Sequence, residues 1–213
     1  MTIATTTREK EREKRRFNRL INIISSKYKN ELFTSIRKAM FKAAMSYQKL
    51  GYLPSQQMDQ HEKELRSISF KMYSNSIDLA SDRQFQSIKH AFNLDIEKKD
   101  AVTDFHTLSL DFIMTNGMKL AKQVSETTEK NVLGAILRSQ QEGLGVDETV
   151  SVIRDRGSVL SRSRATTIAV TETHNALSWA KHESTKAISE ELNLGLKKEW
   201  ATVEDDRTRP THV

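Results

Sequence analysis

The chain has 213 residues, among them seven glycines, two prolines and no cysteine, and a formal net charge of +6. The lack of cysteine excludes disulfides and thiolate metal sites, and so few chain breakers favour long helical segments. The hydrophobic fraction of 37% lies below the ~45–50% of a typical globular domain, as expected for an extended shape or a core completed by partner subunits. No stretch has the length and apolarity of a membrane span or a signal-peptide core, so no membrane partner is expected and synthesis and assembly are placed in the cytoplasm.

The charge is unevenly spread. Residues 1–50 hold 13 Lys/Arg against 4 Asp/Glu, a net of +9, which leaves −3 for the remainder. That asymmetry predicts one end facing polyanions and the other facing proteins.

Thr6-Thr7-Arg8-Glu9 has the spacing of a capping box and opens a helix. Residues 8–16 are all charged and form a solvated helix end. From Phe17 an apolar stripe runs through Leu20, Ile21, Ile24, Tyr28, Leu32, Ile36, Met40, Ala43, Tyr47 and Leu50 in helical steps. Gly51 and Pro54 then stop the helix. A second helix follows Ser55, with Met58, His61, Leu65, Ile68, Met72 and Leu79 in the alternating three-and-four spacing of a coiled coil. After a slip in register near Asn75 to Asp82, Phe85, Ile88 and Phe92 continue it. Two segments of similar length across a short turn predict an antiparallel hairpin.

Asn93 to Asp100 reads as a polar connector. A third helix is expected over 102–124, with Phe105, Leu108, Phe112, Ile113 and Leu120 apolar and Gly117 interrupting its middle. Ser125 is read as the N-cap of a fourth helix reaching Glu142. Asp147 caps a short helix ending before Gly157, and Ser161 caps a last one over 162–192. Past Gly195, Leu196 to Val203 has strand-like residues, whose ladder partner must come from elsewhere.

The last helix carries an oddity. Ala165, Ile168, Ala169, Glu172, Ala176, Trp179 and Ala180 share one stripe, which puts a carboxylate on an apolar face. Such a group is costly unless hydrogen-bonded or paired. Either the face is solvated there, or Glu172 accepts hydrogen bonds from an arginine, with Arg207 and Arg209 the natural donors.

Two blocks in this region, Arg164 to Ala176 and Trp200 to His212, strongly resemble the phage Mu F-like minor head family. The pattern is an Arg-Ala…Ile-Ala-x-Thr-Glu helix followed by Trp…Asp-Asp-Arg-Thr-x-Pro-x-His. The correspondence falls on Arg164, Ala165, Ile168, Ala169, Thr171, Glu172, Trp200, Asp205, Asp206, Arg207, Thr208, Arg209, Pro210 and His212. The looser match reaches back to about Ser125. Family members usually continue past this histidine, so the C-terminal domain is expected to be incomplete. The resemblance implies a structural protein of a tailed phage or prophage head rather than an enzyme. It would be carried inside the procapsid and the virion head in several copies. It would contact the portal and neighbouring head proteins, and duplex DNA during packaging or ejection.

Two alternatives stay open. A metal-dependent hydrolase would have to gather Glu172, His174, His182, Asp205, Asp206 and His212. Glu172 and His174 are about 200° apart on a helix, however, and no metal-ligand spacing is present, so neither a metal nor a cofactor is expected. A nonspecific DNA-binding protein would use Lys10, Arg12, Lys14, Arg15, Arg16 and Arg19, although Lys/Arg interspersed with Glu often makes only a solvated face. The reading adopted is a mainly α chain: a charged arm over 1–16, a long helical hairpin over 17–93, and a smaller helical domain over 101–213 with a short C-terminal β segment.

Overall fold

The computed structural model describes residues 7–94 and 103–196. They form four long helices: α1 (Thr7–Leu50), α2 (Asp59–Phe92), α3 (Thr103–Gln141) and α4 (Val146–Glu191), with a 3₁₀ turn over Ser55–Met58 leading into α2. There is no strand among the described residues. The expected C-terminal β segment falls almost wholly on 197–213, outside them.

The helices run up, down, up and down. Tyr28 of α1 donates a hydrogen bond to the Lys71 carbonyl at 3.1 Å, and Ser46 reaches Gln57 at 2.9 Å, so α1 and α2 are antiparallel as the hairpin reading predicts. The most extensive packing of α1 is nevertheless against α4. Gln48 bonds Asp147 at one end of that seam, and Lys181 meets Glu13 at the other. α4 touches all three other helices, and buried side chains from all four make one contiguous core. With 46 residues, α4 is about 70 Å long at ~1.5 Å per residue.

The periodicity differs from that of a coiled coil. Buried positions recur eleven residues apart: Ile21, Leu32 and Ala43, or Ser25, Ile36 and Tyr47, in α1. The same holds for Leu65 and Ser76 in α2, Ala121 and Val132 in α3, and Ala169 and Ala180 in α4. Eleven residues over three turns is ~3.67 per turn, close to a straight helix and on the right-handed side of it. The apparent slip between Asn75 and Asp82 is this repeat continuing through the buried Ser76, Ile77, Ala80 and Ser81. Leu50 and Leu108, assigned to the apolar faces from the sequence, are exposed.

The core is built from small residues. Alanines and buried serines or threonines alternate with larger side chains, and the hydroxyl residues contribute to the low hydrophobic fraction. Several of these hydroxyls bond back along their own helices, as in Ser76 to Met72, Ser109 to Phe105 and Thr128 to Val124, each at 2.7 Å. Others, such as Ser35 and Ser125, reach a neighbouring element, and Ser69, Ser139 and Thr173 have no hydrogen-bond partner among the described residues.

Sequence boundaries placed inside α3 and α4 are absent from the structure. Gly117 does not interrupt α3; a Cβ there would collide with the Phe70 ring of α2, so glycine marks a close helix crossing. Gly157 lies within α4, where a Cβ would come 3.3 Å from Met40 of α1. Ser125 caps nothing; it is buried in mid-helix and donates to the Met58 carbonyl at 3.3 Å. Ser161 likewise sits inside α4, facing the Met40 sulfur at 3.9 Å. The N-cap of α4 is Gly145 rather than Asp147, and Glu148 folds back to accept the Gly145 N–H at 2.8 Å.

The true helix ends are terminated by left-handed residues. Asn93 and Asn193 have φ of 50° and 49°, and the next residues, Leu94 and Leu194, each donate back to a carbonyl five residues earlier at 2.9 Å. Both leucines then pack on a second small cluster of Phe85, Ile88 and Ile188. Each motif thus closes a helix and seals one end of the bundle.

Candidate functional surfaces

The recognisable motif residues of α4 point into the bundle rather than to a pocket. Ala165, Ala169, Ala176 and Ala180 are buried, and Ile168, Glu172 and Trp179 are half-buried, so the predicted stripe is a real packing face. Thr171 is exposed. Glu172 finds its partner in α2: the Tyr73 hydroxyl donates to its carboxylate at 2.6 Å. Burial, reinforced by that hydrogen bond and the carboxylate charge, pushes the Tyr73 pKa upward. Tyr73 stands edge-on to Phe112 at 5.8 Å, and Phe112 stacks on Trp179 at 4.2 Å. The carboxylate therefore begins a polar-to-aromatic line joining α2, α3 and α4.

Arg164, at the head of the motif, is half-buried, and desolvation lowers its guanidinium pKa. Its charge is felt by His61 of α2, a fully buried histidine that sequence reasoning took only for an apolar-seam position. Trp200, Asp205, Asp206, Arg207, Thr208, Arg209, Pro210 and His212 lie outside the described residues, and with them the proposed arginine donors to Glu172.

The metal reading loses its geometry within the described residues. Glu172 turns to Tyr73, whereas His174 faces the Phe17 ring of α1 at 5.6 Å. Among the described residues no three His, Asp or Glu side chains stand together as a metal site. Nor is any helix among them long and apolar enough to cross a membrane.

At the opposite extreme of α1, Arg12, Lys14, Arg15, Arg16 and Arg19 are all exposed; the Lys10 side chain is outside the description. Glu13 is held by Lys181 of α4 at 3.1 Å, and Arg15 stands 3.9 Å from Glu11. Because α1 carries no apolar side chain before Phe17, its seam with α2 and α4 is left unfilled there. A cleft of about 800 Å³ opens at that point, with Phe17, Leu20 and Leu177 as floor and Arg16, Arg83 and Lys181 at its walls.

The fold is thus an elongated helical bundle with a motif-bearing central helix and a cationic end. Residues 130–213, comprising the last part of α3, all of α4 and the residues beyond, match the family model described as Phage Mu protein F like protein. The match supports the resemblance read from the two motif blocks and points to a phage head morphogenesis protein. It covers fewer than half of the residues, and its boundary falls inside a continuous helix. No curated protein and no solved structure matches the chain.

Proposed function

We propose that the protein is a minor head protein of a tailed phage or prophage, associated with the portal vertex. Its helical body contacts head proteins, and its basic α1 terminus faces packaged DNA. The observation that carries this reading is the family match over 130–213, which includes the Arg164–Glu172 motif on the central helix. Two features support it. The helices are long, and the exposed cations Arg8, Arg12, Lys14, Arg15, Arg16 and Arg19 are concentrated in the first third of α1, with the remaining ones spaced along the rest of it.

Co-expression with portal and major head proteins, followed by purification of procapsids and cross-linking, tests the assignment. The chain is expected in purified heads, with cross-links to the portal arising from the lysines of the bundle body. Its absence from heads, together with retained DNA binding, would favour the nonspecific DNA-binding alternative.

A further inference from the structure

The acidic and basic residues interleaved at the start of α1 are sorted by the helix onto different faces. Arg8, Arg12, Arg15 and Arg19 follow one another at steps of four, three and four, which places them on one stripe. All four are exposed, and the Arg15 side chain is 84% accessible. The opposite face begins with Phe17 and continues through Leu20, Ile21 and Ile24, the latter three buried in the core. The stripe therefore points directly away from the bundle. Glu13 is turned toward α4 by Lys181, and Arg16 turns to the cleft. Among the described side chains the carboxylate beside the stripe is Glu11, a long 3.9 Å from Arg15 with both groups solvated, so solvent screens the contact.

We propose that Arg8, Arg12, Arg15 and Arg19 form a linear phosphate-contact site for the backbone of duplex DNA, and that Lys14 and Arg16 lie outside it. The inference rests on the DNA-facing role given above to the α1 terminus and assigns the residues that carry it. From Arg8 to Arg19 the stripe is about 16 Å long at ~1.5 Å per residue. That length equals about five base-pair steps along the duplex axis at ~3.4 Å each, enough to reach several backbone phosphates. Guanidinium groups suit the task because each can hold a phosphate through two parallel hydrogen bonds. Phosphate contacts carry no base information, so binding through this site is independent of sequence.

The test compares the full chain with two fourfold variants of equal charge: Arg8→Gln/Arg12→Gln/Arg15→Gln/Arg19→Gln, and Lys63→Gln/Lys71→Gln/Lys119→Gln/Lys122→Gln. The control lysines are all exposed and lie on α2 and α3. Binding to a short duplex of arbitrary sequence is measured by anisotropy between ~50 and ~200 mM salt. The arginine variant is expected to flatten the log–log salt slope by roughly 3–4, and the lysine control to leave it unchanged. Equal flattening by both variants overturns the stripe, as does an unchanged slope in the arginine variant. Binding of the wild-type chain to polyglutamate but not to duplex also overturns it and assigns the cations to an acidic protein. If the stripe fails while the chain still enters heads, the head assignment stands. If the stripe is confirmed but heads lack the chain, the head assignment alone fails.

Discussion

Acidification should loosen the bundle through one side chain, His61. Its residue is 4% exposed; the ring Nδ1 lies 3.2 Å from the Ser35 hydroxyl, and Nε2 has no hydrogen-bond partner among the described residues. Burial lowers its pKa from 6.5 to about 4; Glu64 of α2 acts upward and Arg164 of α4 downward. The folded protein therefore takes up this proton later than the unfolded chain. The resulting stabilisation is fully present above about pH 6.5, declines as pH falls through the window down to about 4, and is gone below it. The gap between 6.5 and about 4 corresponds to about 3 kcal/mol at ~1.36 kcal/mol per unit. Urea unfolding of the full chain and of His61→Gln, at intervals from pH 8 to 4, isolates the effect. Other titrating groups are common to both proteins and largely cancel. Glu64 is one of these: burial raises its pKa, but the Lys38 hydrogen bond at 3.0 Å, the Lys38 and Lys42 charges and the Ser35 hydroxyl outweigh that and lower it. Its stabilisation is complete above its unfolded value of 4.5 and is lost only as pH falls through its lower folded value. The wild-type advantage over His61→Gln should shrink by about 3 kcal/mol between pH 7.5 and 4. A difference independent of pH would show that His61 hydrates freely and refute the reasoning.

Tyr73→Phe removes the hydrogen bond to the half-buried Glu172 carboxylate and should cost about 1.5–3 kcal/mol in urea unfolding, the range for a bond to a charged group. Gly117→Ala should destabilise by about 1–3 kcal/mol through the clash with Phe70. In a Phe70→Leu background the same change should cost less or become stabilising, since alanine is the better helix former by ~1 kcal/mol; an equal cost in both backgrounds would remove the crossing explanation. Asn193→Ala puts a side chain with poor left-handed tolerance at φ 49° and should lose about 1 kcal/mol, whereas Asn193→Gly should not.

Much of the helical content was legible because apolar residues recur at helical steps and Gly51 breaks the first run. The errors have physical causes. Gly117, Ser125, Gly157 and Ser161 looked like interruptions because glycine and serine favour helix ends in isolated chains. Here each is a small residue where two helices approach closely, and tertiary packing overrides local preference. The stripe through Glu172 is a packing face as its spacing predicts, but the spacing does not name the Tyr73 partner, and the expected donors Arg207 and Arg209 lie outside the described residues. Tyr73 is 99 residues away and sits on a helix that periodicity places only against α1. His61 fell on the expected seam, yet nothing in the spacing distinguishes a buried imidazole with one open nitrogen from an ordinary core position. Composition alone groups Lys10, Arg12, Lys14, Arg15, Arg16 and Arg19 together and leaves out Arg8. Grouping by composition ignores the helical phase that separates Arg12, Arg15 and Arg19 from Lys14 and Arg16.

Helical phase is itself testable, because the core of α1 begins only at Phe17 while the stripe begins at Arg8. Deleting Lys14 leaves every buried residue of α1 in place and keeps Arg15 and Arg19 on the outer face. Upstream of the deletion, the helix turns by about 100° relative to the core, which carries Arg8 and Arg12 off the stripe. Lys14→Gln removes the same charge without changing phase. If alignment matters, the deletion should flatten the salt slope of duplex binding by about 2 relative to Lys14→Gln, the share of two lost phosphate contacts. Both proteins should unfold at the same urea concentration, because among the described side chains Glu13–Lys181 is the bundle contact disturbed, and both its groups are about half exposed. Identical slopes in the two variants would mean that total charge, not its placement along α1, sets the affinity. The phosphate site would then dissolve into a diffuse basic end.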